Sequence, residues 1–158
     1  MFDIGDVKKQ AAKKAQQNDV HQTIFGAVYL NNIARTALSQ SGPPTYAEGA
    51  VIVREKLETE AGAPEVLTSM IKRQKGFNPE ANDWEFLLIS GDATKIRKRE
   101  KMGDCQSCHA SVSEKDFVFD RYLPVSATGS SVLQLGVPEF VSQQMNQVLR
   151  LKRSGSGL

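Results

Sequence analysis

The chain has 158 residues, a length typical of one domain with its own hydrophobic core. Hydrophobic residues make up 40% of it and charged residues 24%, a balance that indicates a folded protein rather than a disordered or fibrous one. No apolar run approaches the ~18 residues of a membrane-spanning helix, and the formal net charge of +2 is too small to indicate nucleic-acid binding. The two cysteines exclude a disulfide framework and a zinc site of four thiolates.

The predicted elements begin with a polar segment and continue into a β-rich region. Residues 1–19 are rich in lysine and glutamine, which favours a polar N-terminal helix or tail. Residues 23–30 are apolar and β-rich, and Asn31-Asn32 is predicted to cap a short helix that runs to Ala37. The glycine and prolines of residues 41–44 then predict a loop.

Three strands are predicted after this loop. Residues 49–58 alternate, with Lys56 on the face opposite the valines, and residues 66–74 alternate less regularly. Residues 84–90 are apolar on both faces, which predicts a strand buried inside the sheet. Basic residues dominate positions 95–101, and we interpret them as a solvated face. A nucleic-acid patch and a basic rim that attracts an acidic redox partner are the alternatives.

Both cysteines lie in the segment 104–110, Asp-Cys-Gln-Ser-Cys-His-Ala, which contains the motif Cys-x-x-Cys-His. This motif is the attachment signature of c-type haem. The thiols of Cys105 and Cys108 would add to the two haem vinyl groups, because one helical turn matches the separation of the vinyls. The imidazole of His109 would then be the proximal ligand of the iron. The sequence therefore predicts one covalent haem c per chain.

Three other interpretations of the cysteine pair are weaker. A thioredoxin-like redox pair requires a βαβ unit, which the predicted elements do not contain. A zinc site requires a fourth ligand, and His21 is the only other histidine, without a partner at finger spacing. A disulfide across two residues remains an alternative.

Several segments resemble the cytochrome P460 family, which includes cytochrome c-prime-beta. The haem motif alone occurs in many families, so the specificity comes from Gly-Phe-Asn-Pro at 76–79 and Asp-Trp-Glu-Phe at 83–86. The similarity covers roughly residues 20–123, in order. The other similar segments are Tyr-Leu-Asn-Asn-Ile-Ala-Arg at 29–35, Glu-Gly-Ala-Val-Ile-Val-Arg-Glu-Lys at 48–56 and Asp-Phe-Val-Phe at 116–119.

The predicted strands and helices indicate the α+β fold class. We expect an antiparallel β-sheet with flanking helices, and the haem motif on a short helix after the last long strand. Residues 20–124 would form the P460-like haem domain. Residues 125–158 would form a linker and a C-terminal amphipathic helix, whose apolar stripe packs on its own sheet or across a dimer.

The resemblance implies a monohaem protein, usually a homodimer, whose iron is five-coordinate on histidine and acts on small nitrogen species. In one branch of the family a lysine is covalently linked to the haem, and the protein oxidises hydroxylamine. In the cytochrome c-prime-beta branch this link is absent, and an apolar pocket that often contains phenylalanine binds nitric oxide.

Two candidate catalytic residues follow for the hydroxylamine branch. Lys56 is the first candidate for the cross-link and Lys72 the second, and a solvent-facing strand lysine is the alternative interpretation. Glu100 lies five residues before Cys105, where family members place an acid that accepts protons from the substrate. The alternative for Glu100 is an ion pair with its basic neighbours.

The second branch and a different class of function depend on other residues. Phe25, Phe77 and Phe86 are candidates for the wall of the ligand pocket, although core packing is the more common role. A methionine as sixth ligand would instead make the protein a monohaem electron-transfer cytochrome with no small-molecule substrate. The candidates for that ligand are Met70, Met102 and Met145.

Covalent haem attachment predicts an exported, periplasmic protein with a redox partner protein and no nucleic-acid partner. The lysines near the N-terminus precede polar residues instead of an apolar stretch, so residues 1–19 do not resemble a signal peptide. We expect that the export signal is removed from the chain. The alternatives are an incomplete chain and a cytoplasmic chain in which the haem motif stays empty.

Overall fold

The computed structural model describes residues 2–4, 26–59, 62–101 and 103–119. Six strands form one antiparallel sheet in which the spatial order equals the chain order. Helices α1 (Asn32–Leu38) and α2 (Asp104–His109) flank the sheet, and a 3-10 turn (Ala110–Lys115) continues α2. The strands are β1 (Phe2–Ile4), β2 (Val28–Asn31), β3 (Val51–Leu57), β4 (Pro64–Lys72), β5 (Trp84–Ser90) and β6 (Ile96–Glu100).

This architecture confirms the predicted α+β class, with the haem motif on a short helix after the last strand. The three predicted strands correspond to β3, β4 and β5, and β5 is buried as expected. Helix α1 begins where the sequence predicts it, because the Asn31 side chain accepts a hydrogen bond from the backbone N–H of Ala34 at 3.0 Å. The side chain of Asn31 therefore stabilises the point at which β2 ends and α1 begins.

Two strands were not expected from the sequence. Strand β6 lies within the basic residues 95–101 at one edge of the sheet, where Arg97, Lys98 and Arg99 are exposed. Charged side chains on an edge strand oppose pairing with another chain, which explains why a strand has this composition. For residues 2–4 the helix prediction is wrong, because they pair with β2 as strand β1. The remainder of residues 1–19 and all of 125–158, including the predicted C-terminal helix, lie outside the described residues.

The strand register divides the sheet into two different faces. On one face, the row Leu30, Ile52, Met70, Phe86 and Glu100 crosses five strands, and a second row runs beside it. We call this the α2 face, because Cys105 of α2 packs against its hydrophobic cluster. The second row of the α2 face consists of Val28, Arg54, Thr68, Leu88 and Lys98.

The opposite face carries a second apolar cluster that includes Val53, Leu67 and Ile89. Within it, the Tyr29 hydroxyl donates a hydrogen bond of 2.8 Å to the carboxylate of Glu55, and both residues are buried. Burial raises the pKa of Glu55 above its usual value, although the hydrogen bond from Tyr29 opposes this shift. Burial and the neighbouring Glu55 also raise the pKa of Tyr29.

The buried acid predicts a pH-dependent stability. Because the pKa of Glu55 is higher in the folded than in the unfolded protein, the folded state holds the proton more tightly. Its contribution to stability is therefore greatest at acidic pH and is lost as the pH rises from the unfolded pKa through the folded one. We expect Glu55→Gln to raise the urea midpoint at pH 7 and to leave it nearly unchanged at pH 4. A gain of equal size at both pH values would contradict this assignment.

Among the residues that the structure describes, no helix is long and apolar enough to cross a membrane. The two described helices have seven and six residues.

Candidate haem site

A cavity of about 230 Å³ lies between the α2 face of the sheet and helix α2. Its floor is apolar, with Ile52, Met70 and Phe86 from the neighbouring strands β3, β4 and β5. The opposite wall is formed by the helix and by the residues that follow it. This wall contains Asp104, Cys105, Cys108, His109, Val118 and Phe119.

Both predicted thiols line this cavity. Helix α2 is one short helix, so Cys105 and Cys108 lie one turn apart on the same side of it. Both are free cysteines, with Cys105 partly buried and Cys108 exposed. Burial and the neighbouring carboxylate of Glu100 raise the pKa of Cys105 to about 11, so this sulfur is a neutral thiol at pH 7.

The imidazole of His109 is held on two sides and by one hydrogen bond. Its ring lies between Phe86 and Phe119, with ring centroids 5.1 and 5.0 Å away. Its Nδ1 lies 2.6 Å from the carbonyl oxygen of Phe117. A carbonyl oxygen only accepts hydrogen bonds, so Nδ1 carries the proton and Nε2 carries the lone pair that binds a metal. Burial lowers the pKa of His109, which favours this neutral form.

These features fit a covalently bound haem. The apolar floor matches the porphyrin ring, the two thiols match its vinyl groups, and Nε2 of His109 matches the iron. Arg54 adds a positive charge to the lining, which suits a haem propionate, whereas Lys98 forms ion pairs with Glu100 and Asp104. Within the described residues no group of three metal-binding side chains is present.

A profile of the cytochrome P460 family matches residues 5–120, well over half of the chain. The chain belongs to the cytochrome P460 family. No match was found among curated proteins. Membership of the cytochrome P460 family confirms the resemblance noted in the sequence and makes the chain a haem-binding cytochrome.

The structure places the two candidate lysines differently. Lys56 is on β3 and shares the α2 face with Arg54, two residues away. It is 5% exposed, so the solvent-facing alternative for this lysine is wrong. A strand rises ~3.3 Å per residue, so Lys56 begins about 7 Å beyond Arg54 along β3. Arg54 is among the described residues that line the cavity and Lys56 is not.

Lys72 lies at the end of β4, where its ammonium binds the carboxylate of Asp116 at 2.7 Å and 2.9 Å. Its side chain is 7% exposed and also lies over the ring of Trp84. Burial lowers the pKa of Lys72, whereas the Asp116 carboxylate raises it. This contact gives Lys72 a structural role in the fold.

Glu100 is at the end of β6, beside helix α2. Its carboxylate accepts a hydrogen bond from the backbone N–H of Cys105 at 3.3 Å and forms an ion pair with Lys98. Gly103 allows this approach, because a Cβ there would lie 2.8 Å from a carboxylate oxygen of Glu100. Burial favours the neutral acid, but the interactions with Lys98 and Cys105 outweigh it and lower the pKa of Glu100.

Some of the aromatic and methionine candidates line the cavity and others do not. Phe86 and Met70 line the cavity, and Phe86 contacts the ring of His109. Phe77 lies elsewhere, beneath the cationic groups of Arg73 and Lys101. The other candidates, Phe25, Met102 and Met145, lie outside the described residues.

Sequence reasoning missed three residues of the site. Arg54 has the strand parity of Lys56, so alternation alone was sufficient to find it. Phe119 and Asp116 belong to the Asp-Phe-Val-Phe segment that resembles the family. The role of Asp116 depends on contacts with β4 and β5, and the role of Phe119 depends on its ring contact with His109. No local pattern reveals either contact.

Proposed function

We propose that the chain is a c-type monohaem protein that binds nitric oxide at a five-coordinate haem. The observation that carries this proposal is the cavity in which both thiols and His109 face an apolar sheet surface. When bound, the haem supplies an iron that coordinates or oxidises small nitrogen species. Cys105 and Cys108 hold the macrocycle, and His109 binds the iron through Nε2. The apolar floor excludes water, which favours a small neutral ligand.

Oxidation of hydroxylamine is the second candidate, because Lys56 is buried on the same face as the cavity. In this case Lys56 provides the link to the haem, and the ionised carboxylate of Glu100 accepts a proton from the substrate. Glu100 must then exchange its present contacts with Lys98 and Cys105 for the substrate.

Electron transfer without a small-molecule substrate is the third candidate, since Met70 lies on the cavity floor. In this case the Met70 thioether would also bind the iron and would exclude added molecules from it. This candidate differs from the first two in spin state, which makes it simple to test.

Absorption spectra of the reduced protein distinguish the three candidates. We expect a high-spin c-type spectrum that changes when nitric oxide is added and that is the same in Lys56→Arg. A red-shifted Soret band that disappears in Lys56→Arg would instead support hydroxylamine oxidation. A low-spin spectrum that becomes high-spin in Met70→Leu would support electron transfer. A negative pyridine haemochrome test would contradict all three.

We further propose that the protein is a periplasmic homodimer with an acidic redox partner protein. The strand β6 supports the last point. It carries exposed positive charge directly before the haem motif, and charged patches of this kind increase the rate of association with oppositely charged proteins.

We also propose a division of the chain into three segments. They are an N-terminal segment at 1–19, a haem domain at 20–124 and a C-terminal segment at 125–158.

A further inference from the structure

We propose that Asp116 is a positioning residue for the proximal ligand: it holds the turn whose next carbonyl binds Nδ1 of His109. The inference depends on the proposed haem function only through the role of His109 as the ligand. The hydrogen bond and the interactions of the Asp116 carboxylate are features of the protein alone.

The carboxylate of Asp116 accepts hydrogen bonds from four residues, Tyr46, Lys72, Asn82 and Trp84. Its side chain is 4% exposed. One oxygen accepts hydrogen bonds from the Lys72 ammonium and the Asn82 amide, both at 2.7 Å, and from the Trp84 indole at 3.1 Å. The other oxygen accepts from the backbone N–H of Tyr46 at 2.8 Å and again from Lys72 at 2.9 Å.

The backbone at this point has an uncommon conformation. Asp116 and Phe117 have φ values of +52° and +63°, in the left-handed region that a bulky residue such as phenylalanine rarely occupies. Side chains with a Cβ adopt it only where surrounding contacts determine the backbone. Such contacts here include those of the Asp116 carboxylate and a hydrogen bond of 2.8 Å from the Trp84 indole to the Asp116 carbonyl. The backbone N–H groups of Asp116 and Phe117 also donate hydrogen bonds of 3.1 Å to the preceding turn.

This conformation directs the Phe117 carbonyl at the histidine. The carbonyl oxygen of Phe117 lies 2.6 Å from Nδ1 of His109, a short distance for a hydrogen bond to nitrogen. A hydrogen bond from Nδ1 makes the imidazole a stronger donor at Nε2 and also fixes its orientation. Asp116 therefore affects the iron indirectly. Its carboxylate holds the turn, and the Phe117 carbonyl of this turn orients His109.

Asp116→Asn in the haem-loaded protein tests the proposal. The amide loses the charge that attracts Lys72, so the turn relaxes and the hydrogen bond to His109 weakens. We expect the Fe(II)–histidine stretching vibration in the resonance Raman spectrum to shift to lower frequency. The midpoint potential should rise as well, because Fe(III) loses more stabilisation than Fe(II) when the histidine becomes a weaker donor.

Glu85→Gln is the matched control, since Glu85 is an equally buried carboxylate with ion pairs to Arg73 and Arg99. It should destabilise the protein without moving the vibration. Asn82→Gly removes one hydrogen bond to Asp116 and tolerates the positive φ at that position, so it should give a smaller shift in the same direction.

The outcomes separate this inference from the proposed function. An unchanged frequency in Asp116→Asn overturns the positioning role, and so does an equal shift in Glu85→Gln. If Asp116→Asn takes up no haem, an unchanged frequency in Asn82→Gly overturns it. If the wild-type protein itself holds no covalent haem, the proposed function fails. The hydrogen bond is then tested by ¹⁵N NMR, in which Asp116→Asn must increase the Nε2–H tautomer of His109.

Discussion

Replacing both Cys105 and Cys108 with alanine is expected to abolish covalent haem attachment completely. They are the only cysteines of the chain, and both line the cavity, so no other thiol can form a thioether. Each single variant should retain one thioether. A haem stain after denaturing electrophoresis measures this directly, and the pyridine haemochrome spectrum reports how many vinyl groups remain.

The matched control for this prediction is Ser107→Ala, which changes an exposed residue of the same helix between the two cysteines. It should leave the haem stain unchanged. The single variants should also differ in stability, because Cys105 packs against the hydrophobic cluster of the α2 face and Cys108 is exposed. Retention of covalent haem in the double variant would contradict the assignment of the site.

Trp84→Ala is expected to lower the free energy of unfolding by ~3–5 kcal/mol. Trp84 is 0% exposed and is among the largest fully buried side chains of the described residues. Its ring packs edge-on against Tyr46 at a centroid distance of 5.4 Å, and the ammonium of Lys72 lies 4.8 Å from the ring centroid. Urea denaturation followed by far-ultraviolet circular dichroism measures the loss.

Trp84→Phe separates the volume of the ring from its hydrogen bonds. Phenylalanine fills most of the space but cannot donate to the carbonyl and carboxylate of Asp116. We expect a smaller loss of about 1.5–3 kcal/mol for this variant, the range for a lost hydrogen bond to a charged group. Equal losses in the two variants would show that the ring volume is unimportant, contrary to the burial of Trp84.

Much of the fold could be predicted because it follows local patterns. The side-chain amide of Asn31 caps α1, and the alternation of residues 49–58 defines β3. Strand β6 was missed because its sequence, Ile-Arg-Lys-Arg-Glu, has only one apolar residue and no alternation. Its pairing with β5 through backbone hydrogen bonds, not its own composition, makes it a strand.

In the candidate site, too, some features follow from local sequence and others from tertiary contacts. Its covalent and metal-binding groups are close together in the chain, so the motif alone identifies them. The roles of the two lysines could not be predicted in this way, because Lys56 and Lys72 have the same strand parity. They differ only in what the fold places near them, and for Lys72 this is Asp116, 44 residues further along the chain.

By itself, the sequence determined the haem motif, the family and the α+β class, because each of these depends on the identity and spacing of neighbouring residues. Only the tertiary structure decided which side chains line the cavity and what holds the proximal histidine in place. Tyr46 and Asp116, for example, are 70 residues apart, and their hydrogen bond exists only because the sheet brings them together. Contacts of this kind depend on strand register and turn geometry, so no local pattern contains them.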